Sequence, residues 1–170
     1  TAGADFSKIA LRDLRLHCSG IDDVAYRLHE LVCGHALGVL VMAAQRPATW
    51  HEAIDADCIE PAGFEDDQAL LPQSLAGFQG FRLLQEYFAF PQRFLFFEIN
   101  DLARRLASVD SAEAEIVLLF SRGEAALESL VDAGSLASKG KNSPLLGRDL
   151  PGCVLLTVAA KILVANYEKK

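Results

Sequence analysis

Between Gly77 and Ile99 the chain reads GFQGFRLLQEYFAFPQRFLFFEI, which holds Phe78, Phe81, Phe88, Phe90, Phe94, Phe96 and Phe97, seven of its ten phenylalanines. Fully burying one such ring is worth about 1.5–3 kcal/mol, so a run this aromatic is expected in a core. The spacing predicts a helix from about Phe78 to Phe88. Phe81, Leu84 and Phe88 form its buried stripe, Leu83 and Tyr87 lie beside it, and Arg82 and Glu86 make an i,i+4 ion pair on the flank. Pro91 stops the helix, because it lacks an N–H and biases Phe90 toward extended backbone. Phe94 to Ile99, apolar on both faces until Glu98, reads as an interior strand. In a fully packed site Phe96→Ala is expected to cost about 3–5 kcal/mol.

The rest of the chain alternates between strand and helix patterns. Ile9 to Cys18 carries the period-two pattern of a half-buried strand. Ser19, with Asp22 three residues on, resembles a capping box for a helix that reaches about Val32, with Val24, Leu28 and Leu31 inward and Gly34 as its stop. Leu37 to Met42 reads as a buried strand. A turn at Pro47 follows, then an edge strand or loop over Trp50 to Pro61, and a surface connection or short helix over Glu60 to Pro72. Asn100 or Asp101 starts a short helix to about Ala107. Ala114 to Phe120 is an interior strand. Ser121 to Glu124, S-R-G-E, is a second capping box, for a helix with Leu127, Leu130 and Val131 buried and Gly134 at its end. Aligned without gaps, Leu14, Leu16, Cys18, Ser19 and Leu28 fall on Ile116, Leu118, Phe120, Ser121 and Leu130, as though one strand-helix-strand unit occurs twice.

At 170 residues and a formal charge of −7, the chain lacks the dense cationic surface of a nucleic-acid binder. Its charge is uneven: residues 138–170 are net +4 and the remainder −11. Residues 138–152 read as a linker-like segment. From Cys153 to Ala165 the chain is apolar apart from Thr157 and Lys161, too short for a membrane span, so residues 153–170 are read as ending in a strand or helix. With Thr1 first and no apolar leader, the chain reads as an excised or processed piece. Cys18, Cys33, Cys58 and Cys153 are scattered, which suits a reducing compartment.

Candidate chemistry is sparse. His29 and Cys33 stand i,i+4 on one helix, with His35 just beyond and His17 at the end of the preceding strand. A small cytosolic metal protein or enzyme using His17, His29, Cys33 and His35 is the alternative reading, although zinc needs four such groups to converge. Glu60, Glu65, Asp66 and Asp67 lack the spacing of a calcium loop and read as a solvated acidic turn. Gly134 to Lys141 misses the phosphate-loop pattern in both spacing and final residue. No catalytic, cofactor-binding or metal residue is nominated. The aromatic rings are read as core, with a ligand pocket and contact with another chain as alternatives.

One resemblance goes further than these patterns. The run from Gly80 to Ile99 resembles the signature of the type VI secretion baseplate subunit family TssF, also called ImpG or VasA. Gly63 to Pro72, GFEDDQALLP, is similar to the segment just upstream in that family, and Leu14 to Gly20 to its earlier strand. The likeness covers about residues 6–137. It implies an internal α+β portion of a non-catalytic, cytoplasmic scaffold protein. It also implies the partners TssG, TssK, TssE and a second TssF copy, with no cofactor, no nucleic acid and no membrane insertion. After Ala137 the chain departs from the family, with Ser138-Lys-Gly-Lys-Asn in place of an apolar strand. The expected fold is an α+β domain over residues 1–137, built of strand-helix-strand units around a mixed sheet with the Phe-rich helix and strand at its centre.

Overall fold

Leu14, Leu16 and Cys18 are buried and Arg15 and His17 half-buried, so the later part of the alternation read over Ile9 to Cys18 becomes strand β1, Leu14–Cys18, while residues 9–12 lie outside the described residues. In this computed structural model the described residues are 13–72, 78–106, 113–124, 127, 129–131, 135–137, 155–158 and 163–164. Helix α1 spans Asp22–His35 and strand β2 spans Ala36–Ala43. Strand β3 is His51–Asp55, a 3-10 turn covers Ala56–Cys58, and β4 is Ile59–Pro61. A second 3-10 turn at Asp66–Gln68 precedes helix α2, Gln79–Ala89. A third, Pro91–Leu95, leads into β5, Phe96–Ile99. Helix α3, Leu102–Leu106, and strands β6, Glu113–Phe120, β7, Leu136–Ala137, β8, Leu155–Val158, and β9, Leu163–Val164, follow.

The fold is α+β, with its strands divided between two sheets. One has the order β4-β5-β1-β7 and is antiparallel throughout. The other has the order β3-β2-β6-β8, with β9 also on β6; β6 runs antiparallel to β2 and parallel to β8 and β9. The apolar terminal segment thus supplies two short strands. The stretch expected as edge strand or loop forms an edge of each sheet, with the Ala56–Cys58 turn carrying the chain from one to the other.

Helix α1, not the Phe-rich helix, is the inner helix. Its Val24, Ala25, Leu28, Leu31 and Val32 join one buried cluster with Leu16 and Phe97 of the first sheet and Val39, Val41, Ile116 and Leu118 of the second. Two details of α1 differ from expectation. It starts after Ile21 without a side-chain cap. Ser19 is held elsewhere: its hydroxyl meets His17 Nδ1 at 2.9 Å and its N–H donates to the Ser135 carbonyl at 2.8 Å, tying the end of β1 to the approach to β7. The helix also continues through Gly34, because Ala36 leaves it directly in extended geometry and no left-handed stop is needed.

The second capping box differs as well. The Ser121 hydroxyl and N–H both donate to the His35 carbonyl, joining the end of β6 to the end of α1. Leu127 is buried but Leu130 is exposed, so Leu28 and Leu130, matched in the proposed repeat, have opposite environments. Gly134 lies outside the described residues.

Strand β5 is interior as expected, between β4 and β1, but it starts at Phe96 because Pro91–Leu95 forms a 3-10 turn. Its side chains alternate: Phe97 and Ile99 are fully buried, whereas Phe96 is half-buried with its ring 4.5 Å from that of His17. Urea unfolding should therefore show Phe97→Ala losing about 3–5 kcal/mol, with Phe96→Ala clearly milder.

Candidate functional site

On α2 the sequence sets two opposite faces. With 3.6 residues per turn, Phe81, Leu84 and Phe88 share one side and Arg82 and Glu86 the other. The structure turns the charged side inward. Arg82 and Glu86 are 8% and 2% exposed, whereas Phe81 is 65%, Leu84 54% and Phe88 80% exposed. Phe78, Tyr87 and Phe90 are exposed too. The expected buried stripe is thus an outward face, and the expected flanking ion pair lies beneath the helix.

The reason lies in the segment before it. Residues 62–72 are mostly irregular, and buried backbone polar groups there need partners. The Glu86 carboxylate accepts the N–H groups of Leu70 and Leu71 at 3.1 and 3.0 Å. It also pairs with Arg93 and, at 3.5 Å, with Arg82. Arg93 Nη2 donates to the carbonyls of Gly63 at 2.8 Å and Gln68 at 2.6 Å, and Arg82 Nη2 donates to Asp66 at 3.0 Å. Two guanidiniums face two carboxylates, so the buried cluster is electrically balanced. Burial, and then the neighbouring Arg82, hold Arg93 below the ordinary arginine value, but a guanidinium remains charged in proteins.

Gly63 is a fixed point of this arrangement. Its φ is +102°, and a Cβ there would lie 3.1 Å from the Arg93 carbonyl, so a larger residue meets both backbone strain and a close contact. The Gly63 N–H donates to the Gln68 side chain, which closes the loop on itself.

Above this ionic seat, Phe64, Phe78, Phe81, Leu84, Tyr87 and Phe94 line an open apolar groove of about 510 Å³. The rings of Phe64 and Phe94 lie 5.1 Å apart, and those of Tyr87 and Phe94 5.9 Å. The Arg93 guanidinium sits 5.0 Å from the Phe94 ring centre. The Phe-rich stretch is therefore core only in part: Phe94, Leu95, Phe97 and Ile99 are buried, and the helical rings are displayed.

The other candidate residues do not converge. His29 Nε2 lies 3.3 Å from the Phe96 carbonyl and 3.5 Å from Cys33 Sγ. His17 instead reaches Ser19 and, at 3.2 Å through Nε2, the Gln92 carbonyl. The His35 carbonyl accepts from Ser121. Among the described residues, no three His, Cys, Asp or Glu side chains are grouped to hold a metal ion. Burial pushes the Cys33 thiol up to about 11, and burial foremost raises Cys18 and Cys58, which disfavours thiolate chemistry. Of the acidic set, Glu60, Glu65 and Asp67 are exposed, while Asp66, half in solvent, is bound to Arg82. Residues 138–141 of the phosphate-loop comparison lie outside the described residues. No helix among the described residues is long and apolar enough to cross a membrane.

A sequence signal for this seat exists. Between Phe78 and Phe97 the only charged residues are Arg82, Glu86 and Arg93, preceded by acids at residues 65–67. Three charges of alternating sign inside an aromatic run, with acids upstream, suit a buried network better than a solvated flank.

Two outcomes follow. Glu86→Ala leaves the buried Arg93 guanidinium without its carboxylate, with Arg82 held by Asp66 alone, and should cost about 3–5 kcal/mol in urea unfolding, whereas Phe88→Ala on the exposed face should stay within about 0.5 kcal/mol. Burial also lowers His29 below its ordinary 6.5, outweighing the raising effect of the Phe96 carbonyl. Well above 6.5 both the folded and unfolded imidazoles are neutral and His29 adds no pH dependence. As the pH falls below 6.5 the unfolded chain takes up the proton first, so stability drops until the folded imidazole also titrates. Unfolding measured from pH 7.5 to 5 should show a shallower acid-side loss in His29→Gln than in the parent.

Comparison with known proteins agrees with the sequence resemblance. Type VI secretion system component TssF1 of Pseudomonas aeruginosa is 42% identical over 135 residues, covering 79% of this chain and 22% of that protein. The chain therefore spans about a fifth of the length of that curated relative. A chain in the cryo-electron microscopy structure of the type VI secretion system TssK-TssF-TssG baseplate subcomplex is similar with 25% sequence identity and a TM-score of 0.49, over 59% of this chain and 19% of that one. The family model described as "Type VI secretion system, TssF" matches residues 1–139. With most of its length matched by that model, the chain belongs to the TssF family of the type VI secretion system.

Proposed function

We propose that the chain is a portion of a structural subunit of the type VI secretion baseplate. It works by protein contacts on the cytoplasmic side of a contractile, phage-tail-like injection machine. The observation that carries this reading is the family match across residues 1–139. The geometry suits it: the ionic seat under α2 fixes an apolar face outward, as expected of a protein that assembles with others. TssG and TssK are the proposed direct partners, with TssE and a second TssF copy as further neighbours in the wedge. Residues 1–137 are the portion that carries this role, residues 138–152 a linker-like segment and residues 153–170 an apolar segment that adds strands to the second sheet. The part played by this chain is scaffolding rather than catalysis.

The full-length parent, co-expressed with its cognate TssG and TssK and purified through a tag on TssG, should be retained in the complex. Its absence from a clean pull-down in which TssG and TssK are both present would overturn the assignment. Loss by residues 1–170 alone would place the contacts elsewhere in the parent.

A further inference from the structure

An amphipathic helix normally turns its apolar side inward, and α2 does the reverse. From Phe78 to Gln92 its only charged side chains are Arg82 and Glu86, both buried, so the outward face carries no charge. Among the described residues, the exposed charges of the turn set beside α2 have one sign. The 3.0 Å bond from Arg82 to Asp66 sets the Asp66–Gln68 turn alongside α2, and Glu65, Asp66 and Asp67 are exposed there. Glu65 directly follows Phe64, whose ring lines the groove. The buried guanidiniums are taken up by Asp66 and Glu86, Arg82 pairing with Asp66 and Arg93 with Glu86, so the charges of Glu65 and Asp67 stay at the edge of the groove.

This charge pattern discriminates between occupants. An anionic bilayer would meet the acidic turn with like charge. A second copy of the chain would bring its own acidic turn against the first, and like charges set against each other across an interface cost several kcal/mol. A polypeptide with an apolar strip edged by cations meets neither penalty. We propose that the groove and the outward face of α2 dock an amphipathic helix of another protein. A large apolar side chain of that helix enters the groove while its lysines or arginines lie against Glu65 and Asp67. This is helix-in-groove recognition, in which apolar anchors at i, i+3, i+4 and i+7 supply affinity and the charged edge supplies selectivity. The inference rests on the assembly role proposed above and adds the chemistry of the partner surface.

The test uses the full-length parent and two synthetic fluorescent helical peptides of equal length. Both carry leucines at i, i+3, i+4 and i+7; one is edged with lysine and the other with glutamate. Anisotropy should show the lysine-edged peptide binding at least tenfold more tightly. Leu84→Asp should abolish binding, and Glu65→Lys with Asp67→Lys should erase the preference for lysine. All three positions are exposed, so the melting temperature should be unchanged in each variant. Failure of the lysine-edged peptide to bind, equal binding of both, or full binding by Leu84→Asp would overturn the proposal. So would adsorption to phosphatidylglycerol vesicles, or self-association in sedimentation, that Leu84→Asp removes in place of peptide binding. A parent that still co-purifies with TssG and TssK while failing these measurements sinks the docking surface and leaves the assembly role standing.

Discussion

The buried carboxylate of Glu86 is the constraint on which the position of the Phe-rich helix depends. It takes two backbone N–H groups from the preceding loop and faces two guanidiniums, one from its own helix and one from the turn that follows. Those guanidiniums hold the loop in turn, through Asp66 and the carbonyls of Gly63 and Gln68. A buried charge is costly unless it is paired and hydrogen-bonded, and this one is both. The irregular loop gains partners for its backbone, and α2 is oriented by ionic bonds instead of by its apolar stripe.

That orientation divides the work between two helices. Helix α1 supplies the buried apolar contacts that join the sheets, with Leu28, Leu31 and Val32 fully enclosed. Helix α2 adds little to the core and exposes its rings. Two of the three family-like segments, Gly63 to Pro72 and Gly80 to Ile99, are stitched together by the network. In this chain they form one three-dimensional unit, a loop, a helix and a strand held by a shared ionic seat.

Much of the fold was legible in the sequence. Strands β1 and β6 and helix α1 were readable because their apolar spacing matches the local period, and Pro91 marked the end of α2. What failed depended on residues distant in sequence. Ser19 looked like a cap, but its N–H bonds to Ser135 and its hydroxyl to His17. Ser121 looked like a second cap and serves the His35 carbonyl instead. The outward face of α2 was misread because periodicity shows that a helix has an apolar stripe without showing which way it points. The direction depends on what awaits the polar side, and here the loop at residues 63–71 offers a carboxylate, carbonyls and N–H groups. The candidate site was thus present in the sequence as residues and absent as an orientation.

In this TssF-family chain, packing and exposure thus rest on separate side chains of one helix. The inward face of α2 holds the preceding loop, and its outward face is exposed. The most direct measurement is hydroxyl-radical footprinting of the folded chain, read residue by residue by mass spectrometry. The account predicts that Phe81, Tyr87 and Phe88 oxidise at rates close to those in the unfolded chain while Phe97 is strongly protected. Protection of Phe81 and Phe88 to the level of Phe97 would mean that α2 packs by its apolar stripe, and would contradict it.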